Sequence, residues 1–122
     1  LAEEFARRFD GFSIGSNDLT QLILGVDRDS ALLTELFDEH DEAVRRTIQQ
    51  LIEVAHKSGV KVGLCGQAPS DHPDFAAFLV HCGIDSISIN TDKAAQIIPV
   101  VASAERELSQ APSGGDGQRP LL

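Results

Sequence analysis

The sequence contains no methionine, no tryptophan and no tyrosine, and only two cysteines in 122 residues. Two thiols, Cys65 and Cys82, are too few for a disulfide scaffold and suit a reducing compartment, so a cytoplasmic setting is expected. Basic residues are scarce as well: ten Lys and Arg stand against nineteen Asp and Glu, for a formal net charge of −9. A chain this acidic lacks the clustered cations that a phosphate backbone requires, which argues against a nucleic-acid partner. No apolar run approaches the roughly 20 residues that span a bilayer, and no basic stretch leads into an apolar one as in a secretion signal. A membrane partner is therefore not expected. The absent methionine includes the initiator. The opening run Leu1-Ala2-Glu3-Glu4-Phe5-Ala6-Arg7-Arg8-Phe9 reads like the inside of a helix with no capping residue ahead of it, so the chain reads as a piece of a longer frame.

What is present is ordinary for a folded domain. Hydrophobic residues make up 42% and charged residues 24%, and the length allows one domain. After the opening helix, residues 12–15 form a β-like run. Leu32, Leu33, Leu36 and Phe37 predict a short helical segment. The clearest helix covers residues 41–58, where Val44, Ile48, Leu51 and Ala55 share one face and Gly59 supplies the stop. Residues 60–65 read as a second strand and 66–70 as a loop. A helix follows with Pro73 at its first position, its inner face carrying Phe75, Phe78, Leu79 and Cys82. Residues 84–89 alternate strictly and read as a third strand. A last helix spans 92–109, with Pro99 inside it. Residues 111–122, rich in Pro, Gly and Ser, read as a disordered tail, so the domain is placed at 1–109 and the tail at 110–122.

The order α-β-α-β-α-β-α means parallel strands with crossover helices, an α/β fold. Three strands cannot close a barrel, and a (β/α)8 TIM-type barrel needs about 250 residues. The chain fits about three of the eight βα units. The strands are expected as parallel neighbours in chain order with helices on one side. The other side is expected to be apolar and to want further strands, leaving the isolated chain marginal or self-associated.

Chemistry in such folds gathers where strands end. At the first strand end stand Gly15, Ser16, Asn17 and Asp18. Gly15 allows close approach to the backbone, the Ser16 and Asn17 N–H groups can donate to an anion, and Asp18 offers hard oxygens of the kind Mg²⁺ takes. The same residues also suit a strand-end turn and a helix cap. At the second strand end stands Cys65, followed by Gly66 and Gln67. A thiol there can exchange a proton with a carbanion-like centre, or simply fill space, as cysteines often do. Cys82, on a helix's apolar face, reads as structural. His40, His56, His72 and His81 form no metal spacing with the cysteines, which argues against zinc. His72 reads as a helix-start residue.

Two motifs carry a resemblance. Phe12-Ser13-Ile14-Gly15-Ser16-Asn17-Asp18-Leu19-Thr20-Gln21 with Gly25-Val26-Asp27-Arg28-Asp29, and downstream Gly63-Leu64-Cys65-Gly66-Gln67, resemble the C-terminal motifs of the PEP-utilising enzymes. Gln67 stands where two of the family's branches usually carry Glu, so the run from Gly66 to Phe75 is most similar to the third. The resemblance covers residues 1 to about 108. It implies an α/β barrel that binds phosphoenolpyruvate (PEP) or pyruvate, of which this chain would be the last part. It implies that Gly15, Ser16 and Asn17 bind substrate, and that Asp18 binds both Mg²⁺ and, through it, substrate oxygens. It implies that Cys65 gives a proton to the methylene carbon of the enolate. The implied parent reaction is ATP + pyruvate + water → AMP + PEP + phosphate. Partners would be the phosphohistidine and ATP-grasp domains and a second copy joined through the barrel. None of those domains, nor the family's substrate-binding arginines and second metal carboxylate, has a counterpart here, so this piece alone is expected to be inactive. A non-catalytic α/β binding or assembly module derived from the family is the alternative, and an unrelated small ligand-binding domain a weaker one.

Overall fold

The computed structural model describes residues 1–110. Three parallel strands, β1 (Gly11–Gly15), β2 (Lys61–Cys65) and β3 (Ser86–Ile87), lie in chain order, as the alternation predicts. Six helices accompany them: α1 (Ala2–Ala6), α2 (Ser16–Leu24), α3 (Glu42–Lys57), α4 (Ala68–Asp71), α5 (Pro73–His81) and α6 (Ala94–Gln110). β1 pairs with β2 along its whole length, Gly11 against Lys61 through Gly15 against Cys65. The expected tail from 111 onward lies outside the described residues. Gln110, assigned to that tail, belongs to α6. Among the described residues no helix is long and apolar enough to cross a membrane.

Side chains alternate across a strand, and this sorts the sheet into two unlike faces. Phe12, Ile14, Val62, Leu64 and Ile87 fall on one side. They join Val44, Ile48, Ile52 and Ala55 of α3 and Phe75 and Leu79 of α5 in a single core. The other side carries Gly11, Ser13, Gly15, Lys61, Gly63, Cys65 and Ser86, none of them buried. That face is small and polar, not apolar as the missing strands suggested. Apart from Lys61, the three strands place glycine, serine and cysteine at every second position, and these leave room and hydrogen-bonding groups instead of a hydrophobic surface. The expectation of a marginal or self-associating chain drew on an apolar sheet face, and that face is absent. Large exposed hydrophobics occur elsewhere, among them Leu22, Leu32 and Ile98.

Helix α3 is built as its sequence prescribes. The Asp41 carboxylate accepts from the Ala43 N–H at 2.8 Å, a side-chain N-cap. Gly59 stands just past the C-cap with φ +76°, the left-handed geometry that glycine adopts without cost. The inner face carries Ile52, fully buried, where the periodicity had placed Leu51, which is only half-buried.

β1 passes directly into α2, with Gly15 as the N-cap. Three local expectations change. Residues 68–71 are a one-turn helix and not a loop, started by Pro69 near its N-terminus and anchored by Ser70, whose Oγ accepts from the Asn90 N–H at 2.9 Å. The stretch at 32–37 gives only a 3-10 turn, Thr34–Leu36, with Leu32 92% and Leu36 60% exposed, so two of its three leucines lie unpacked. β3 is shorter than its alternation implied. It pairs on one side only, although Asp85 N–H to Val62 O (3.0 Å) and Ser88 N–H to Leu64 O (2.9 Å) continue the ladder at both ends.

Asp85 pins this edge. Its Oδ2 accepts from the Val62 N–H at 2.8 Å and meets His56 Nε2 at 2.9 Å. The Val62 N–H first, and His56 second, hold the carboxyl below its ordinary value. A carboxyl that titrates lower when folded contributes stability above the ordinary carboxylate range and loses it as pH falls through the folded value. Asp85→Ala is therefore expected to cost about 1–2 kcal/mol at neutral pH. In urea titrations repeated down the pH scale, the difference between variant and parent chain should shrink below about pH 4.

Candidate active site

The C-terminal ends of β1 and β2 open on a pocket of about 360 Å³, lined by Gly15, Asn17, Asp18, Gln21, Arg28, Asp29, Cys65 and Gly66. Four of the five residues singled out from the sequence meet there: Gly15, Asn17, Asp18 and Cys65. Parallel strands end on a common edge, and the register sets Gly15 directly beside Cys65. Cys65 is exposed and outside any disulfide. On the same open sheet face, the Ser13 hydroxyl donates to its sulfur at 3.6 Å.

Ser16, the fifth, is placed differently. Its side chain is fully buried and its Oγ has no hydrogen-bond partner among the described residues. It lies beneath Gly66, where an added Cβ would stand 2.0 Å from that Oγ. Ser16 thus faces the turn after β2 and not the pocket, and only its backbone N–H, at the first position of α2, is left for a ligand. Thr20 stabilises this start by donating to the Ser16 carbonyl at 2.8 Å.

The Asn17 side chain is already engaged. With its amide turned to the orientation that satisfies both neighbours, its nitrogen donates to Glu39 Oε1 at 3.0 Å and its oxygen accepts from the Arg28 guanidinium. Gln21 acts on the same loop, its Oε1 accepting from the Arg28 N–H at 2.8 Å. Residue 21 stands four after Asn17 and three after Asp18, so all three share one face of α2. Arg28 is the one cation among the residues lining the pocket. The sequence showed Arg28 and Asp29 as part of the first family motif, without a role in the site. Their return over the strand ends follows from the turn at Gly25, whose φ is +65°. Gln21 was detectable from helical spacing alone, while Glu39 carries no local signal.

Oxygen donors dominate the pocket: the Asp18 and Asp29 carboxylates and the Gln21 amide. That set fits a hard cation such as Mg²⁺ better than a soft one. Cys82 lies away from this edge, half-buried against the core at the C-terminus of α5. His72 is the N-cap residue of α5, with Pro73 after it.

A strand-end pocket with a thiol, carboxylates and an arginine, on a parallel α/β sheet, defines a class that comparison with known proteins identifies. The chain belongs to the PEP-utilising enzymes: the family described as "PEP-utilising enzyme, PEP-binding domain" matches residues 1–106. It is 59% identical over 108 residues to the phosphoenolpyruvate synthase of Aquifex aeolicus, covering 88% of this chain and 13% of that protein. Identity to the phosphoenolpyruvate synthase of Synechocystis sp. is 56% over 108 residues, with the same shares covered. Against that of Escherichia coli it is 58% over 96 residues, 79% of this chain and 12% of that protein. The chain therefore spans about 13% of the length of these curated relatives.

The close fit of Gly66 over Ser16 yields a stability prediction. Gly66→Ala is expected to cost about 1–3 kcal/mol through overpacking. In a Ser16→Ala background the cost should be smaller, because the 2.0 Å contact disappears and a 3.1 Å contact to the Ser16 Cβ remains. A double-mutant cycle on urea melts measures that coupling.

Proposed function

We propose that this chain forms the part of a PEP/pyruvate site that exchanges a proton at carbon, within a longer phosphoenolpyruvate synthase that makes PEP, AMP and phosphate from ATP, pyruvate and water. The observation that carries the reading is the meeting of Cys65 with Asn17, Asp18 and Arg28 around one pocket. In the same reading, the three βα units belong to an eight-stranded barrel. The polar sheet face of Ser13, Gly63, Cys65 and Ser86 would then look into its interior, where a bound acid needs polar groups and space.

The chemistry follows from the donors. Pyruvate is a small dianion-forming acid when enolised, and its carboxylate suits the Arg28 guanidinium and the backbone N–H groups that open α2. Mg²⁺, when bound, would neutralise charge on the enolate oxygen, and Asp18 is the residue that would hold it, with Asp29 near enough to share the pocket. Cys65 lines the same pocket from the end of β2. As thiolate it takes a proton from the pyruvate methyl group, leaving the electron pair in the enolate. In the reverse direction the thiol returns that proton to the methylene carbon. Ser13 donates to the sulfur at 3.6 Å. Phosphoryl transfer would be supplied by phosphohistidine and ATP-grasp domains elsewhere in the longer protein.

Because proton exchange at carbon and phosphorylation of the enzyme are separate steps, they can be tested apart. In the full-length protein, Cys65→Ala is expected to lower PEP formation by about 10²–10⁴-fold and to stop exchange of pyruvate methyl protons with deuterated water. ATP-dependent phosphorylation of the enzyme should persist. Cys82→Ala should leave both untouched. Methyl exchange that survives Cys65→Ala would assign Cys65 to packing alone and favour a non-catalytic module.

Asp18→Asn removes a carboxylate on an exposed helix position, so folding should be retained. Turnover is expected to fall at limiting Mg²⁺ and to recover incompletely at high Mg²⁺, measured as PEP formed against Mg²⁺ concentration. Wild-type behaviour at limiting Mg²⁺ would remove Asp18 from the metal site.

A further inference from the structure

A second cluster of ligating side chains lies apart from the Cys65 pocket. His40, in the loop before α3, meets His72 and Asp74 at the start of α5, and the donor atoms of the three lie within 4.8 Å of one another. His40 Nε2 stands 3.2 Å from Asp74 Oδ2. The two imidazoles contact edge to face, with ring centroids 4.7 Å apart at 90°.

We propose that His40, His72 and Asp74 bind a divalent transition metal, with Zn²⁺ the best fit, at a site separate from the Mg²⁺ chemistry of the pocket. Four observations support it. First, the donor set is two imidazoles and one carboxylate, which suits Zn²⁺ and its neighbours and not Mg²⁺. Second, the spacing is close to that of a filled site. Ligands about 2.0–2.1 Å from a tetrahedral Zn²⁺ lie about 3.3 Å from each other, and His40 and Asp74 are already at 3.2 Å. His72 and Asp74 are exposed, so small side-chain rotations close the rest, and water completes the fourth position.

Third, a carboxylate stands behind His40. Its other nitrogen, Nδ1, faces Asp38 Oδ1 at 3.6 Å, and the same oxygen accepts from the His40 backbone N–H at 2.8 Å. A carboxylate behind the ring orients it and favours Nε2 as the ligand. Phe75 packs edge-on to the ring at 5.4 Å. Fourth, Pro73 lies between His72 and Asp74, and its fixed φ holds the two ligands on one rigid helix start.

Zinc argued against from histidine and cysteine spacing is thus reinstated with a different ligand set. The ligands are 32 and 34 positions apart in sequence and meet only in the fold. The metal would tie the loop at 38–40 to α5. Glu39 in that loop bonds to Asn17 of the pocket, so the staple would also steady one wall of the candidate active site.

Calorimetric titration of the full 122-residue chain with Zn²⁺ alone tests this, with Co²⁺ absorption as a second readout. One Zn²⁺ per chain is expected, with nitrogen and oxygen ligation and no thiolate-to-cobalt charge-transfer band. His40→Gln and His72→Gln should each weaken binding at least about tenfold, and Asp38→Asn by about tenfold through the supporting carboxylate. Asp74→Asn, at an exposed position, should weaken it with the fold intact by circular dichroism, which covers the case in which a His40 variant misfolds. Cys65→Ser and Cys82→Ser should leave the Zn²⁺ affinity and stoichiometry as they are. Absence of saturable binding, affinity that is undiminished in Asp74→Asn, or binding lost in Cys65→Ser would overturn the proposal.

Discussion

The parallel pairing of β1 with β2, in the register that sets Gly15 beside Cys65, is the constraint on which the rest of this structure depends. With side chains alternating every residue, this register sends Phe12, Ile14, Val62 and Leu64 into one core and leaves Ser13, Gly63 and Cys65 on an open polar face. A slip of one residue would exchange the two sets and put both polar atoms and glycines into the core. The packing of Ile48, Ile52 and Phe75 on the apolar face makes that slip costly. The same register brings the two strand ends level, so that the first turn of α2 and the turn after β2 enclose one pocket.

Close packing at those ends sets what the pocket can be. Gly66 must be small because Ser16 lies directly under it, and Ser16 is held there as the first residue of α2. The turn therefore stays tight to the sheet, and Cys65 remains exposed at its edge. Around this rigid floor the wall is polar and interlocked. Gln21 holds the backbone of Arg28, Arg28 meets Asn17, and Asn17 meets Glu39. An arginine so restrained is better prepared for a small acid than one free in solvent, since less side-chain entropy is lost on binding.

The fold brings unlike donor sets to two places. At the strand ends oxygen ligands and a thiol gather, suited to a hard cation and a proton transfer. At the start of α5 imidazoles and a carboxylate gather, suited to a softer metal. The loop at 38–40 links them, with Glu39 reaching Asn17 and His40 reaching Asp74. Order imposed on that loop at either place would be felt at the other.

Much of this could be read along the chain. Apolar periodicity located α3, alternation and small residues located the strands, and β–α order implied parallel neighbours. Strand-end position marked Gly15, Asn17, Asp18 and Cys65, since those signals are carried by residues adjacent in sequence. Other features had no local signal. The polar character of the open face needed the register to show which residues align. The Ser16 side chain becomes packing only because Gly66, fifty positions later, lies on it, while its backbone N–H stays at the start of α2. Arg28 enters the pocket, and Glu39 reaches Asn17 behind it, through loops whose path local propensity does not set. His40 and His72 are separate helix-flanking residues in sequence. The sequence by itself determined which elements form and which strand ends carry reactive groups, because hydrophobic period and turn chemistry are local. Only the tertiary structure decided which groups share a pocket or a metal site, because that depends on contacts closed across distant segments by the packing of the core.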